Sequence, residues 1–126
     1  MAQGTFVTAI NCMDGRVQEP VINWMKEKYQ VDYVDMVTEA GPNKYLLDGT
    51  EEQVESMKKK VEISFHKHGS KVVAIAGHHD CAGNPIDKEE KIAQINQAKK
   101  KIQTWGLEVE IIGLYVNENW EVEQVD

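Results

Sequence analysis

Short runs of apolar and β-branched residues alternate along the chain with longer segments in which apolar residues recur every three or four positions. This order occurs three times, and it predicts βαβ units around a mostly parallel sheet. The third run is apolar throughout, which is typical of a strand covered on both faces. The predicted parallel strands are residues 5–10, 33–38, 71–76 and 108–116.

Three helices are predicted between these strands. The first begins with Pro20 at its first helical position, where a missing N–H costs nothing. The other two begin at capping boxes, in which Thr50 pairs with Gln53 and Asp87 pairs with Glu90. The predicted helices are residues 20–29, 50–69 and 87–106.

The remaining connections read as turns and loops. Residues 40–43, Ala-Gly-Pro-Asn, predict a turn that continues into a polar loop reaching Thr50. Residues 117–119 predict a second turn, after which residues 120–125 form a short antiparallel partner. We therefore expect an α/β fold with strand order 2-1-3-4, flanked by helices, and a C-terminal antiparallel hairpin strand.

Chain length and composition narrow the class of protein. With 126 residues, 41% of them hydrophobic and 28% charged, we expect a single globular domain over residues 1–126. No apolar stretch approaches the roughly 20 residues that span a bilayer, so we expect no membrane partner. The N-terminal residues do not resemble a secretory signal and the chain has two cysteines, so a cytoplasmic location is expected.

The charge of the chain argues against nucleic acid as a partner. The formal net charge is −7, whereas binding to phosphates requires a clustered positive surface. Lysine triplets at residues 58–60 and 99–101 both lie within predicted amphipathic helices. We interpret them as solvated helix faces.

Two loops that follow predicted strands carry side chains suited to metal binding or catalysis. Cys12, Asp14 and Arg16 come after the first strand, and a His-His-Asp-Cys run at residues 78–81 comes after the third. If these strands are neighbours, their carboxyl ends meet at one edge of the sheet, where ligands of α/β proteins gather. Cys12, His78 and Cys81 could then converge on one point.

Two thiolates and one imidazole form a known set of zinc ligands that leaves a fourth position for water or substrate. The His-x-x-Cys spacing lets His78 and Cys81 reach one ion from a single turn. Spacing alone leaves two alternatives open. Cys12 and Cys81 are also compatible with two unrelated buried thiols, or with a disulfide or redox pair.

The two motifs together resemble the β-class carbonic anhydrases. The resemblance rests on Cys-x-Asp-x-Arg and Gly-His-x-x-Cys-x-Gly, each after a predicted strand, and it extends to an Ala-Gly turn after the second strand and a glycine in the closing strand. In this chain these residues are Cys12, Asp14, Arg16, Gly77, His78, Cys81, Gly83, Ala40, Gly41 and Gly113.

The resemblance implies a zinc enzyme that hydrates CO2 reversibly to bicarbonate by means of zinc-bound hydroxide. It implies Cys12, His78 and Cys81 as the zinc ligands, with Asp14 and Arg16 as a catalytic pair that gates the metal. It also implies a homodimer or a larger homo-oligomer, whose neighbouring subunit completes the substrate pocket. A hydrolase of COS or CS2, or a zinc domain without catalysis, would use the same residues.

The remaining histidines and Asp80 are not expected to bind the metal. His79 is a candidate for passing protons to solvent, because imidazole titrates near neutral pH. Asp80 is expected to cap its turn or orient an imidazole, without a catalytic role. His66 and His68 are expected at the surface, near the C-terminal end of a helix dipole. Residues 42–49 resemble a loop inserted into the family pattern.

Overall fold

The computed structural model describes residues 3–126 and contains a five-stranded sheet in the order β2-β1-β3-β4-β5. The first four strands are parallel, and β5 pairs antiparallel with β4. This confirms the predicted α/β class, the 2-1-3-4 order and the closing antiparallel strand. The strands are β1 (Phe6–Cys12), β2 (Tyr33–Glu39), β3 (Val72–His78), β4 (Glu110–Val116) and β5 (Val122–Gln124).

Within residues 3–126, four α-helices cover the two faces of the sheet. Residues of α1 pack into one hydrophobic core, and residues of the other three helices pack into a second core on the opposite face. In residues 3–126, no helix has the length and apolar character needed to cross a membrane. The helices are α1 (Gln18–Tyr29), α2 (Pro42–Asp48), α3 (Glu51–His68) and α4 (Lys88–Gln103).

The alternation of side chains along β3 explains why the sheet is covered on both faces. Val72, Ala74 and Ala76 belong to the core on the α1 side, while Val73 and Ile75 belong to the other core. All seven residues of the strand are buried. The strand that leads to His78 is therefore held from both faces, and its carboxyl end is a rigid platform.

Both predicted caps are present at the starts of the long helices. The Thr50 hydroxyl accepts a hydrogen bond from the backbone N–H of Gln53 at 3.2 Å, and the Gln53 side chain accepts from the Thr50 N–H at 2.9 Å. At α4, the Asp87 carboxylate accepts a hydrogen bond from the backbone N–H of Glu90 at 2.8 Å. These bonds satisfy backbone donors that have no partner within the helix.

The prediction of a polar loop between the second strand and Thr50 was wrong, because residues 42–48 form helix α2. Pro42 occupies its first position, which suits a residue that lacks an N–H. Leu46 is fully buried, and the buried Asn43 donates a hydrogen bond to the backbone carbonyl of Ala76 at 3.1 Å. Tertiary contacts thus stabilise a helix too short to form alone.

The first helix begins two residues earlier than predicted. A short 3₁₀ turn, Gly15–Val17, leads directly into α1 at Gln18, so Pro20 occupies the third helical position rather than the first. Proline is tolerated there because the first four N–H groups of a helix have no partner within it. The 3₁₀ turn carries the loop after β1 back towards the sheet.

His66 is exposed as expected, but His68 is not simply a surface residue. The His68 Nδ1 lies 2.6 Å from the Asp35 carboxylate, and its ring stacks on Phe6 with centroids 4.2 Å apart. The same carboxylate accepts a hydrogen bond from the Ser64 hydroxyl at 2.6 Å. His68 therefore joins the end of α3 to strands β1 and β2.

Candidate metal centre

Three donor side chains meet at the carboxyl ends of two neighbouring strands. Cys12 is the last residue of β1, His78 is the last residue of β3, and these strands pair directly. Cys81 follows three residues after His78. The relative exposures of Cys12, His78 and Cys81 are 4%, 2% and 4%, so the group is shielded from bulk solvent. We call these three residues the donor cluster.

The spacing within the donor cluster fits a metal ion better than a disulfide. One donor atom from each residue lies within 4.8 Å of the other two, and the two sulfur atoms are 4.0 Å apart. Two thiolates bound at about 2.3 Å to a tetrahedral zinc would place their sulfurs about 3.8 Å apart. Both cysteines are free thiols, so the disulfide alternative is not formed.

The two nitrogen atoms of His78 have different surroundings. Its Nδ1 lies 2.6 Å from the backbone carbonyl of His79, and since a carbonyl only accepts, Nδ1 carries the proton. The Nε2 atom then carries a lone pair. It is buried and has no hydrogen-bond partner within residues 3–126. A buried acceptor without a partner beside two thiols is the arrangement of a metal-binding histidine oriented by a backbone carbonyl.

The two thiols differ in acidity because they share one proton. The pKa of Cys12 is lowered, first by a hydrogen bond from the Cys81 thiol and further by the His78 side chain and by backbone N–H groups of Gly41 and Asp14, while burial opposes the shift. The pKa of Cys81 is raised, first by that same hydrogen bond to Cys12 and then by burial. Cys12 is therefore the thiolate of the pair, and thiolate is the form that binds metals.

Side-chain amides fix the loop that follows β1. The Gln18 amide donates to the backbone carbonyls of Cys12 and Asp14 at 2.6 and 2.8 Å. Asn11 accepts a hydrogen bond from the Cys12 N–H at 3.0 Å and donates to the Val17 carbonyl at 3.1 Å. Neither amide was identified from the sequence, and both hold Cys12 and Asp14 in place.

Two glycines allow the loop after β2 to approach the loop that carries Cys81. A Cβ atom on Gly83 would lie 2.8 Å from the backbone carbon of Ala40, and one on Gly41 would lie 3.0 Å from Gly83. Gly41 also has a φ angle of +65°, which L side chains rarely adopt. The turn at residues 40–41 thus borders the donor cluster and supplies a backbone N–H to Cys12.

Asp14 and Arg16 form an ion pair beside the cluster. The Arg16 Nη2 donates to Asp14 Oδ2 at 2.7 Å, its Nε donates to Oδ1 at 3.1 Å, and its backbone N–H donates to Oδ1 at 2.8 Å. These hydrogen bonds lower the pKa of Asp14 to about 2, against the opposing effect of burial. Asp14 is therefore ionised at neutral pH, and Arg16 holds both of its oxygen atoms.

Of the other two residues of the His-His-Asp-Cys run, Asp80 differs from the expectation, while the passage of protons to solvent by His79 stays a prediction. His79 is exposed, and its contribution to the cluster is the carbonyl that accepts from His78. Asp80 was expected to cap its turn or orient an imidazole. Its side chain instead pairs with Arg16, whose Nη1 lies 3.2 Å from Asp80 Oδ2.

Comparison with known proteins agrees with this geometry. Residues 2–126 match a family model described as "putative carbonic anhydrase". The chain belongs to that carbonic anhydrase family. No curated protein matches the chain.

Solved structures that resemble this chain include carbonic anhydrases, several of them described as β-carbonic anhydrases. Isoform I from Trichomonas vaginalis is 18% identical with a TM-score of 0.61, and the match covers 94% of this chain and 81% of that one. Carbonic anhydrase from Glaciozyma antarctica is 14% identical with a TM-score of 0.59 and the same coverages. A β-carbonic anhydrase described as tetrameric, from Sordaria macrospora, is 16% identical with a TM-score of 0.54, covering 98% of this chain and 82% of that one. At these identities the likeness shows a β-carbonic anhydrase fold.

A buried lysine lies behind the donor cluster of this carbonic anhydrase family member. Lys91, in α4, is 1% exposed, and its ammonium donates a hydrogen bond to the Asn84 carbonyl at 2.7 Å. A Cβ on Gly77 would lie 2.8 Å from the Lys91 stem, so the glycine makes room for it. Burial lowers the pKa of Lys91, and the negative charge of Cys81 and Cys12 acts in the opposite direction.

Sequence analysis missed Lys91, although a signal was present. Lys91 stands four residues before Ile95, and Ala98 and Ile102 continue the same buried face of α4. A lysine at an apolar position of a helix that follows a cysteine motif could have been singled out, because fully buried lysines are rare unless they are paired.

A cavity of about 450 Å³ opens beside Cys81. Its walls come from the loop after β3, from the start of α4 and from β4, and they include His79, Lys88 and Tyr115. A larger groove of about 950 Å³ runs between α3 and the end of α4, but no residue of the donor cluster lines it. Of these two cavities, the smaller one is lined by a residue of the donor cluster, Cys81.

Proposed function

We propose that this protein is a zinc-dependent enzyme that catalyses the reversible hydration of carbon dioxide to bicarbonate. The observation that carries the proposal is the buried Nε2 of His78, which has no hydrogen-bond partner in the described chain and belongs to a cluster with Cys12 and Cys81. The carbonic anhydrase family and the β-carbonic anhydrase fold support the same reaction.

In this proposal Cys12, His78 and Cys81 hold the zinc ion. Two sulfurs and one imidazole nitrogen are a preferred ligand set for Zn²⁺, and they leave one position open. When bound there, zinc would supply the Lewis acidity that lowers the pKa of a coordinated water towards neutrality. Two thiolates cancel the formal charge of the ion, so neighbouring side chains have more to contribute than in a site made of three histidines.

Asp14 accepts a hydrogen bond from the reacting water in this proposal. Because Arg16 keeps the pKa of Asp14 at about 2, the carboxylate is an acceptor at any physiological pH. Arg16 holds that carboxylate through both oxygens, so it keeps Asp14 beside the donor cluster rather than on it. The cavity next to Cys81 provides room for a small substrate.

We also propose that the active form is a homodimer or a larger homo-oligomer in the cytoplasm. A solved structure with this fold is described as tetrameric, which supports assembly. Both cysteines of the chain are free and buried, as expected in a reducing compartment.

Elemental analysis and CO2 hydration kinetics test the function on protein purified without chelator. We expect about one zinc per chain, and a hydration rate well above the buffer value that rises with pH over roughly pH 7 to 9. Light scattering of the same preparation measures the assembly. Asp14→Asn should lower the rate about tenfold or more while zinc content stays the same.

The outcomes separate catalysis from metal binding. Zinc at full occupancy with a rate equal to that of buffer would replace the enzyme with a zinc domain that lacks catalysis. Hydrolysis of COS or CS2 in place of CO2 hydration would change the substrate and keep the site. Protein without zinc, and unable to take it up, would contradict both the metal centre and the reaction.

A further inference from the structure

Arg16 makes more contacts than its pairing with Asp14 requires. Its Nη1 donates to Asp80 Oδ2 at 3.2 Å, and its Nη2 donates to the backbone carbonyl of Asp80 at 3.1 Å. The guanidinium carbon also lies 4.4 Å from the centre of the Trp120 ring, within the range of a cation–π contact. Thus all three guanidinium nitrogens donate hydrogen bonds, and one face of the group is covered.

The additional contacts come from separate parts of the fold. Arg16 follows β1, Asp80 follows β3, and Trp120 lies in the turn between β4 and β5. Asp80 and Trp120 have φ angles of 58° and 60°, a region that side chains other than glycine seldom occupy. Two such residues on one arginine indicate that the surrounding structure stabilises them in these positions.

The turn that carries Trp120 is itself well fixed. The Asn117 side chain accepts hydrogen bonds from the backbone N–H groups of Asn119 and Glu121, and the Asn117 carbonyl accepts from the Trp120 N–H at 2.9 Å. The Trp120 ring packs against the core on the α1 side of the sheet. The Trp120 indole is therefore held in a fixed position against Arg16.

We propose that Asp80 and Trp120 are positioning residues that lock Arg16, and that through Arg16 they keep the Asp14 carboxylate off the metal so that its fourth position stays open. The inference deepens the proposed function and rests on it. The juxtaposition that carries it is one guanidinium held at once by Asp14, Asp80 and Trp120 beside the donor cluster.

Arg16 must be held in place because Asp14 can itself act as a zinc ligand. It lies two residues after Cys12, and carboxylate oxygens are among the protein donors that bind zinc. An ion pair of this kind is weak when exposed, and the Arg16 side chain is 45% exposed. The Asp80 side chain is itself 71% exposed, so its carboxylate restrains Arg16 only together with the Asp80 carbonyl and the Trp120 ring. These contacts combined hold the arginine where the pair with Asp14 alone would let it move.

Binding of thiocyanate to the cobalt-substituted protein measures whether the fourth position is open. Cobalt in a site with thiolate ligands has strong visible absorption that changes when an anion binds to the metal. The variants are Asp80→Gly, which removes the carboxylate and suits a positive φ, and Trp120→Leu, which removes the ring. Trp120→Phe keeps an aromatic face over Arg16, and Asn119→Ser, an exposed change in the same turn, is the matched control.

We expect the affinity for thiocyanate to fall about tenfold in Asp80→Gly and in Trp120→Leu, as is usual when a residue that orients a ligand is lost. Cobalt content should stay at the wild-type value, and Trp120→Phe and Asn119→Ser should bind thiocyanate like the wild type. Adding Asp14→Asn to either weakened variant should restore thiocyanate binding, because the group that closes the site is then a poor ligand.

If Asp80→Gly and Trp120→Leu both bind thiocyanate with wild-type affinity, the proposal that Asp80 and Trp120 lock Arg16 is overturned. Failure of Asp14→Asn to restore binding would overturn it as well, because the loss would then come from general damage to the site. These readouts do not depend on CO2 hydration, so an inactive protein that binds cobalt still decides the inference. Wild-type protein that binds no cobalt would instead remove the metal centre, and the lock with it.

Discussion

The two ring nitrogens of His78 have different roles. Nδ1 donates to a carbonyl of its own loop and fixes the orientation of the ring, which leaves Nε2 buried without a hydrogen-bond partner among residues 3–126. Cys12 and Cys81 complete the cluster, with their pKa values moved in opposite directions by the proton they share. A single metal ion could therefore bind all three donor side chains.

Replacing one sulfur tests this dependence. In Cys81→Ser we expect zinc content to fall at least about tenfold and the free energy of unfolding to fall with it, since metal-binding energy is partly folding energy. Elemental analysis and denaturant unfolding of one preparation measure both. With excess chelator, the wild type and the variant should unfold at similar denaturant concentrations. Unchanged zinc stoichiometry in the variant would count against the ligand assignment.

Helix α3 shows how one element connects the two ends of the sheet. It begins at the Thr50 cap, close to the short helix α2, and it ends at His68, which contacts Asp35 in β2. Met57 and Val61 bury one face of the helix in the core between these points. The charged face, including residues 58–60, lies on the side away from the core, in agreement with its interpretation as a helix face.

The cap at Thr50 gives a prediction at this scale. Thr50→Ala should lower the free energy of unfolding by about 1 kcal/mol, because the N–H of Gln53 loses its acceptor. Thr50→Ser keeps the hydroxyl and should stay within about 0.5 kcal/mol of the wild type. Urea unfolding followed by circular dichroism measures both. Equal losses in the two variants would show that the methyl group, not the hydrogen bond, stabilises the helix start.

At the scale of the whole molecule, the candidate site is assembled from four separate segments. The end of β1 and the loop after it bring Cys12 and Asp14, and the turn after β2 brings Gly41. The loop after β3 brings Cys81, and the turn after β4 brings Trp120. Parallel strands place all four at one edge of the sheet. A change at any junction between these segments should therefore affect the stability of the fold and the metal centre together.

The contact of Gly83 with the turn at residues 40–41 is the tightest such junction. Gly83→Ala should lower the free energy of unfolding by about 1–3 kcal/mol and reduce zinc content, because its Cβ would meet backbone atoms 2.8 Å away. Gly15→Ala is the matched control for stability, since nothing lies within 4 Å of the added Cβ. Denaturant unfolding and elemental analysis measure both. A Gly83→Ala protein as stable as Gly15→Ala would contradict the close contact.

Most of the architecture could be predicted because the local signals were unambiguous. The apolar run of β3, the capping residues Thr50 and Asp87, and the βαβ order each followed from periodicity and hydrogen-bonding chemistry, and all were confirmed. Helix α2 was missed because its seven residues carry turn signals and its helical state depends on burial of Leu46. A single domain over the whole chain, and the roles of the site residues, stay predictions.

The order of residues along the chain was enough to identify the donors, their positions relative to the strands, and the family that the motifs resemble. The folded structure was needed to show that a nitrogen of His78 is buried with no hydrogen-bond partner in residues 3–126, and that Lys91 is buried behind the thiols. It was also needed to show that Asp80 and Trp120 hold Arg16. Periodicity and caps are local properties that a linear chain records. Contacts between residues far apart in the chain depend on packing, register and burial, which arise only when the sheet has formed.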